Sequence, residues 1–245
     1  MLGIALGVTA LITVLSVMNG FEKELRDRIL GMASHATVTT YAGRLHDWPA
    51  LSQTLEGEPA IQAMAPYVQG ESMLSQGKRV SGALIRGVMP ELEGGVSDVV
   101  SHINGGDLGN LKDGDYSIIL GSELAIALGA GIGDSVTVVS PQVTIGPTGI
   151  LPRLRRFTVV GIFEVGMFEY DRGVALVHIK DAARLFSLDE NVTGLRLKLE
   201  DIYDAPVLAR KLMVQLQGDY RVEDWTRQHA NFFRAVKTEK RVMFI

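Results

Sequence analysis

Gly129, Gly131 and Gly133 are the residues of this 245-residue chain that come nearest to a phosphate-binding loop. A dinucleotide fingerprint follows a strand and opens a helix, so that backbone N–H groups at the helix start meet the phosphates. Here the glycines close a helical segment beginning at Ser122 and lead into the strand-like Val136-Thr-Val-Val139, so they read as a C-cap and a turn. No G-x-x-x-x-G-K-[ST] is present, and Gly77-Lys78 falls in a hairpin turn, so the chain carries no P-loop ATPase of its own. The histidines, His35, His46, His102, His178 and His229, are scattered, without the H-x-x-x-H or H-E-x-x-H spacing that puts two imidazoles on one helix face for zinc. Ser72, Ser75 and Ser81 lie in strand or turn contexts, without a G-x-S-x-G elbow to expose a nucleophile. Asp113-Gly-Asp115 lacks the further acidic ligands of a calcium loop, and Asn191-Val-Thr193 is a formal glycosylation sequon of a kind that arises by chance. With no cysteine there is neither a disulfide nor thiolate chemistry. These residues predict no enzyme, no cofactor and no metal site.

The elements that organise the chain are at its ends. From Met1 to Phe21 no charged residue appears, and at 1.5 Å per residue that run covers about 30 Å, the thickness of a bilayer's hydrocarbon core. A signal peptide would begin with basic residues and end at a small-residue cleavage site, and a buried core helix would be shorter. This run instead continues into Phe21-Glu-Lys-Glu-Leu-Arg-Asp-Arg-Ile-Leu30, where Phe21, Leu25 and Ile29 share a face and Glu22–Arg26 and Glu24–Arg28 form i,i+4 pairs. It reads as a transmembrane helix with a helical stalk. Gly3-x-x-x-Gly7 is a weak helix-packing motif on it. Leu11, Leu15 and Met18 recur at helical spacing and, with Phe21, form an apolar stripe. At the far end a helix from Trp225 carries charges up to Arg241 and then meets Val242-Met-Phe-Ile245, the truncated beginning of a second span. A chain that returns to the membrane places its middle on one side of it.

That middle reads as α+β. His35–Tyr41 is a strand, Trp48–Leu55 a helix capped by Asp47, and Ile61–Leu74 and Arg79–Val88 are strands joined by a tight turn. Met89-Pro-Glu-Leu-Glu-Gly-Gly95 breaks this pattern and opens a glycine-rich stretch. A strand, a short helix and a strand follow up to Val139; Phe157–Phe163 is a strand, Val165–Asp171 a turn, and the remainder runs β-α-β-α-β, with Leu208, Leu212 and Leu216 on one helix face. The pattern predicts a split α+β domain interrupted by a β-rich insertion from about Pro90 to Arg172. A net charge of −4 gives no basic excess to suggest nucleic acid as a partner.

Between Val139 and Phe157 lies a long connection holding Pro141, Ile145, Pro147, Ile150, Leu151, Pro152, Arg153 and Arg155. A floppy hairpin end would be polar. Three apolar side chains beside arginines, on a segment stiffened by proline, suit a protein partner better than water.

The run Ile4–Leu30, together with Ile119-Leu-Gly-Ser-Glu-Leu-Ala125, Gly161–Asp171 and Phe233–Met243, resembles the LolC/LolE permease subunits of the lipoprotein-releasing ABC transporter of Gram-negative bacteria, within the wider MacB-like class. The resemblance covers essentially the whole chain. It implies an inner-membrane permease whose large periplasmic loop combines a porter-like α+β part with a β-rich inserted part. The segments are then 1–32 (first membrane helix and stalk), 33–89 and 173–225 (porter-like halves), 90–172 (insertion) and 226–245 (stalk and start of the second span). It also implies a separate ATPase subunit, a second permease subunit, lipoprotein substrate and a soluble periplasmic carrier. Leu11, Leu15, Met18 and Phe21 would contact acyl chains, and Pro141–Arg156 lies where one permease type carries a carrier-gripping hook. The permeases continue through three further membrane helices, so by this resemblance the chain is a piece of a longer protein. A MacB-like exporter or a membrane-tethered interaction or sensor domain are the alternative readings.

Overall fold

The computed structural model describes residues 3, 6–9, 12–17, 20, 34–146, 149–216 and 218–228. The expected first stalk at 21–32 lies outside these residues, as does all of the expected 226–245 segment beyond residue 228. Of the first span, 6–9 and 12–17 are helical, with the Thr13 hydroxyl donating to the Thr9 carbonyl at 2.8 Å. Among the described residues no helix is long and apolar enough to cross a membrane.

The fold turns on one long strand. β1 (Ala36–Thr40) and the helix α1 (Trp48–Leu55) precede β2 (Ile61–Gln76), whose 16 residues serve two sheets. Asp47 starts α1 by accepting the Ala50 N–H at 3.1 Å, with Pro49 in the first turn where a missing N–H costs nothing. The first half of β2, Ile61 to Tyr67, pairs with β9 (Gly194–Leu199), and β1 lies between β9 and β10 (Tyr220–Asp224), all antiparallel. Against this four-stranded sheet pack α1 and α6 (Ala205–Gln215), which bury Leu51, Leu55, Leu208 and Leu212. The expected apolar stripe on α6 is thus a core face.

From Val68 onward β2 pairs with β3 (Arg79–Val88) instead. The ring continues through β8 (Val174–His178), β5 (Ser117–Gly121), β7 (Gly149–Phe163) and β6 (Ser135–Gly146), and closes where Thr137–Val139 of β6 pairs back onto Met73–Ser75 of β2. Six strands therefore form a closed barrel, which removes every sheet edge within the ring. A two-residue β4 (Ile103–Asn104) adds to β7 outside it. Val136, Val138, Phe157, Val159, Ile118 and Leu120 are wholly buried. The architecture is α+β, as expected, but the barrel draws strands from both sides of positions 90 and 172.

Three local expectations are corrected. The break in pattern at 89–95 is a helix: α2 spans Pro90–Val96, started by proline and with Glu91 and Glu93 in its first turn. Residues 165–171 end in α4 (Phe168–Gly173). Both helices are too short for a 3.6-residue period to declare itself. The long connection after Val139 is strand almost throughout its described residues, with β6 running to Gly146 and β7 starting at Gly149. Its prolines hid this. A register shift between Ser140 and Val143 accommodates Pro141, the kind of place where a strand tolerates proline. The helices α3 (Ser122–Leu128), capped by the left-handed Gly129, and α5 (Ile179–Leu185) agree with the sequence to within a residue.

One half-buried titratable group should give the domain a pH response. His35 sits at the junction of β1 and β9, its Nδ1 accepting the Leu199 N–H at 3.0 Å. Burial, and then the Lys198 charge, hold its pKa below the usual 6.5. The unfolded chain therefore binds the proton more readily than the folded one, so this contribution is full above about pH 6.5 and is lost as pH falls from there through the depressed folded value. Urea unfolding at pH 7.5 and pH 5 should show the wild type losing stability on acidification, and His35→Gln losing measurably less. Equal losses would mean that His35 does not set the response.

Candidate functional site

The outer half of the β6–β7 hairpin projects past the point where β6 leaves β2. Its pairs run Ser140 with Arg153, Val143 with Pro152, Thr144 with Leu151, Ile145 with Ile150, and Gly146 with Gly149. The sequence-predicted residues Ile145, Ile150, Leu151 and Pro152 are therefore brought together on two antiparallel strands. Pro141 is exposed at the bulge, whereas Pro147 lies outside the described residues. Leu15 is in the described part of the N-terminal helix; Leu11, Met18 and Phe21 lie outside the described residues.

The base of the hairpin is anchored by its arginines. Arg155 lies over the Tyr116 ring, 5.3 Å from its centroid, and Tyr116 meets Phe157 edge-on at 5.5 Å. Tyr116 adopts a positive φ of 50°, and the buried Asp181 of α5 fixes that turn by accepting the N–H groups of Gly114 and Tyr116 at 3.0 and 3.2 Å. Arg184 donates to the same Asp181 and to Asp113, each at 2.7 Å, and its carbonyl accepts from Arg153 Nη1 at 3.3 Å. Arg153 and Arg155 thus brace the hairpin against the barrel mouth, a task the sequence did not disclose, while Arg155 remains exposed.

Beside this base the barrel's outer wall forms an open groove of about 730 Å³ lined by Glu71, Met73, Leu84, Val139 and Pro141 over a floor at Gly82. Met73 and Leu154 are more than half exposed and share a row with Val139 across β2, β6 and β7. Sequence reasoning missed the groove because its walls come from positions some 70 residues apart. The alternation of β2, which leaves Met73 facing outward, was the available signal. Among the described residues no group of three or more His, Cys, Asp or Glu is placed to hold a metal ion. The described geometry is a projecting two-stranded hairpin with arginines at its base and an adjoining groove.

Residues 1–224 match the model of the MacB-like periplasmic core domain. The chain is similar to the lipoprotein-releasing system transmembrane protein LolC of Xylella fastidiosa strain 9a5c, 48% identical over 244 residues that cover 100% of this chain and 59% of the relative. It is 44% identical to LolC of Neisseria meningitidis serogroup B over 99% of this chain and 59% of that protein. Against LolE of Haemophilus influenzae the identity is 28%, over 100% of this chain and 59% of that one. The chain therefore spans about three-fifths of the length of these relatives. Among solved structures, the periplasmic region of MacB from Actinobacillus actinomycetemcomitans aligns with a TM-score of 0.51 at 13% identity, covering 83% of this chain and 95% of that one, which is a likeness of fold.

Proposed function

The chain belongs to the MacB-like periplasmic core domain family, and from that premise we propose that it is the leading membrane helix and periplasmic domain of a permease subunit of a lipoprotein-releasing ABC transporter. The observation that carries this reading is the 48% identity to a LolC protein across the whole chain. Against Haemophilus influenzae the identities to LolE and LolC are 28% and 30%, so the LolC type rests on the 48% and 44% relatives alone. The protein would lie in a bacterial inner membrane with its β-strands in the periplasm, work with a separate ATPase subunit and a second permease subunit, and pass lipoproteins to a soluble carrier. The projecting hairpin would receive that carrier.

The N-terminal helix supports the membrane assignment. Its described residues Leu6, Val8, Ile12, Val14 and Val17 are each at least half exposed, an apolar surface on every side that suits lipid or neighbouring helices and not water. A stalk helix at residues 21–32 would pass movement of this span to the barrel as a rigid-body displacement.

Reconstitution tests the assignment. The full-length protein, incorporated into proteoliposomes with its ATPase and partner permease, should release a triacylated lipoprotein to soluble carrier in an ATP-dependent way. Leu15→Asp should lower that release at least tenfold, since a carboxylate within the bilayer costs several kcal/mol at a lipid-facing position and spoils acyl contact at a cavity-facing one. ATP-dependent export of a soluble compound without lipoprotein release would overturn the reading. Normal release by Leu15→Asp would remove this helix from the acyl site.

A further inference from the structure

Under α2, where the four-stranded sheet meets the barrel, Arg196 of β9 is only 2% exposed and Glu93 of α2 is fully buried. Arg196 Nη2 donates to Glu93 Oε2, while Arg196 Nε and Nη1 and Glu93 Oε1 have no hydrogen-bond partner among the described residues. Arg86 of β3 lies on the same face, because its cross-strand partner Gln69 and the partner of Arg196, Ala65, alternate on one side of β2. Its Nη2 meets Gln69 Oε1 at 3.4 Å, its Nε is buried without a partner, and its charge acts on Arg196, Glu93, Tyr67 and Tyr170.

The charges do not balance. Two guanidinium groups face one buried carboxylate, since of the carboxylates that act on the neighbouring tyrosines Glu223 is paired with Arg221 and Glu169 is exposed; one positive charge is left over at the partly exposed edge of a buried ion pair. Hydrogen bonds do not balance either. If Glu93 gripped Arg196 as a two-pronged fork, using Nε and Nη2, Arg196 Nη1 and Arg86 Nε would still have nothing to donate to. Buried donors of this kind are paired in native structures with protein, water or an ion, and an unpaired buried charge is costlier still. Burial and the neighbouring Arg196 charge both depress the pKa of Arg86, the direction a missing counter-charge produces. The two tyrosine hydroxyls add polar groups without adding charge at neutral pH.

We propose that Arg86 and Arg196 hold one small monovalent anion, a halide or a carboxylate, which completes the Arg86–Glu93–Arg196 cluster and ties α2 and β9 to the barrel strand β3. The single excess charge favours a monoanion over a dianion. The partial exposure of Arg86 gives the ion its path from solvent.

The 245-residue chain, purified in detergent micelles, is measured in chloride, acetate and phosphate, with gluconate holding ionic strength constant. Chloride-35 NMR should show saturable excess line broadening that acetate displaces and phosphate displaces less well. Raising chloride to about twenty times its dissociation constant should lift the thermal unfolding midpoint by about 4 °C. Arg86→Met removes the excess charge, leaves the Arg196–Glu93 pair in place, and should abolish both the broadening and the chloride dependence of the midpoint whatever its own stability. The inference fails if broadening in the wild type is absent or does not saturate, or if Arg86→Met keeps the wild-type chloride dependence. Where the variant does not fold, the wild-type broadening alone decides. None of these readings depends on lipoprotein release.

Discussion

Deleting Ile145 to Leu151 and joining the ends with two glycines should leave the barrel closed and lower affinity for the carrier by at least a hundredfold. The ring closes at Met73–Ser75 against Thr137–Val139 on one side and at Ser117–Gly121 against Thr158–Phe163 on the other. The deleted residues lie beyond both. What is lost is the distal hairpin with Ile145, Ile150 and Leu151, the apolar residues of the proposed docking site, and truncating a central apolar anchor is where interfaces lose most of their energy. The prolines strengthen the case, since a pre-ordered element loses less entropy on docking. Arg155→Glu should act differently. Its guanidinium is exposed, so reversing it should slow association with an acidic carrier rim, and the effect should shrink as salt rises. It also gives up the Tyr116 contact, worth about 0.5–1 kcal/mol at an exposed site, so its unfolding midpoint must be measured beside its affinity. Titration of the purified chain with carrier at low and moderate salt reads both effects. Unchanged affinity after the deletion would make the hairpin an ordinary end of two strands, and the carrier would have to dock elsewhere.

Much of this arrangement was legible from local pattern. The β-branched run at Ala36–Thr40, the Asp47 cap with Pro49, the β2–β3 turn and the leucine stripe of α6 each follow from interactions within a few residues, and the structure repeats them. Closure of the barrel was not legible, because it depends on β2 meeting β6 more than 60 positions later, and neither strand states its partner. The pairing of the β6–β7 hairpin was not legible either, since prolines mask alternation in a strand that needs few ladder bonds. The arginine cluster was hidden for another reason. In Gly194-Leu-Arg-Leu-Lys-Leu199 the alternation puts Arg196 and Lys198 on one face, which sequence alone assigns to water. The structure lays α2 over Arg196 and leaves Lys198 partly exposed, so one polar face has a dry half and a wet half.

The turn behind the groove should prove the most sensitive point of the barrel. Asp171, 3% exposed, accepts the N–H of Val165 at 2.9 Å on one carboxylate oxygen and that of Gly166 at 3.0 Å on the other, closing the chain between β7 and α4. Its own carbonyl lies so near β5 that a Cβ on Gly121 would sit 2.2 Å from that oxygen. A carboxylate, a glycine and two backbone amides therefore hold one another at contact distance. Asp171→Ala strands both N–H groups, and hydrogen bonds to a charged acceptor are worth about 1.5–3 kcal/mol each, so the loss should be roughly 3–5 kcal/mol. Asp171→Asn keeps one good acceptor and should lose about half as much. Gly121→Ala must push backbone away, not a flexible side-chain end, and should match Asp171→Ala; because both act on one contact, the double variant should fall short of their sum. Against a typical total of about 5–15 kcal/mol, each single change removes a large share of the stability. Urea unfolding of the four variants measures these differences directly. A loss below about 1 kcal/mol for Asp171→Ala would mean that water replaces the carboxylate at this turn, and the Gly121 contact would then stand alone as the reason α4 lies against β5.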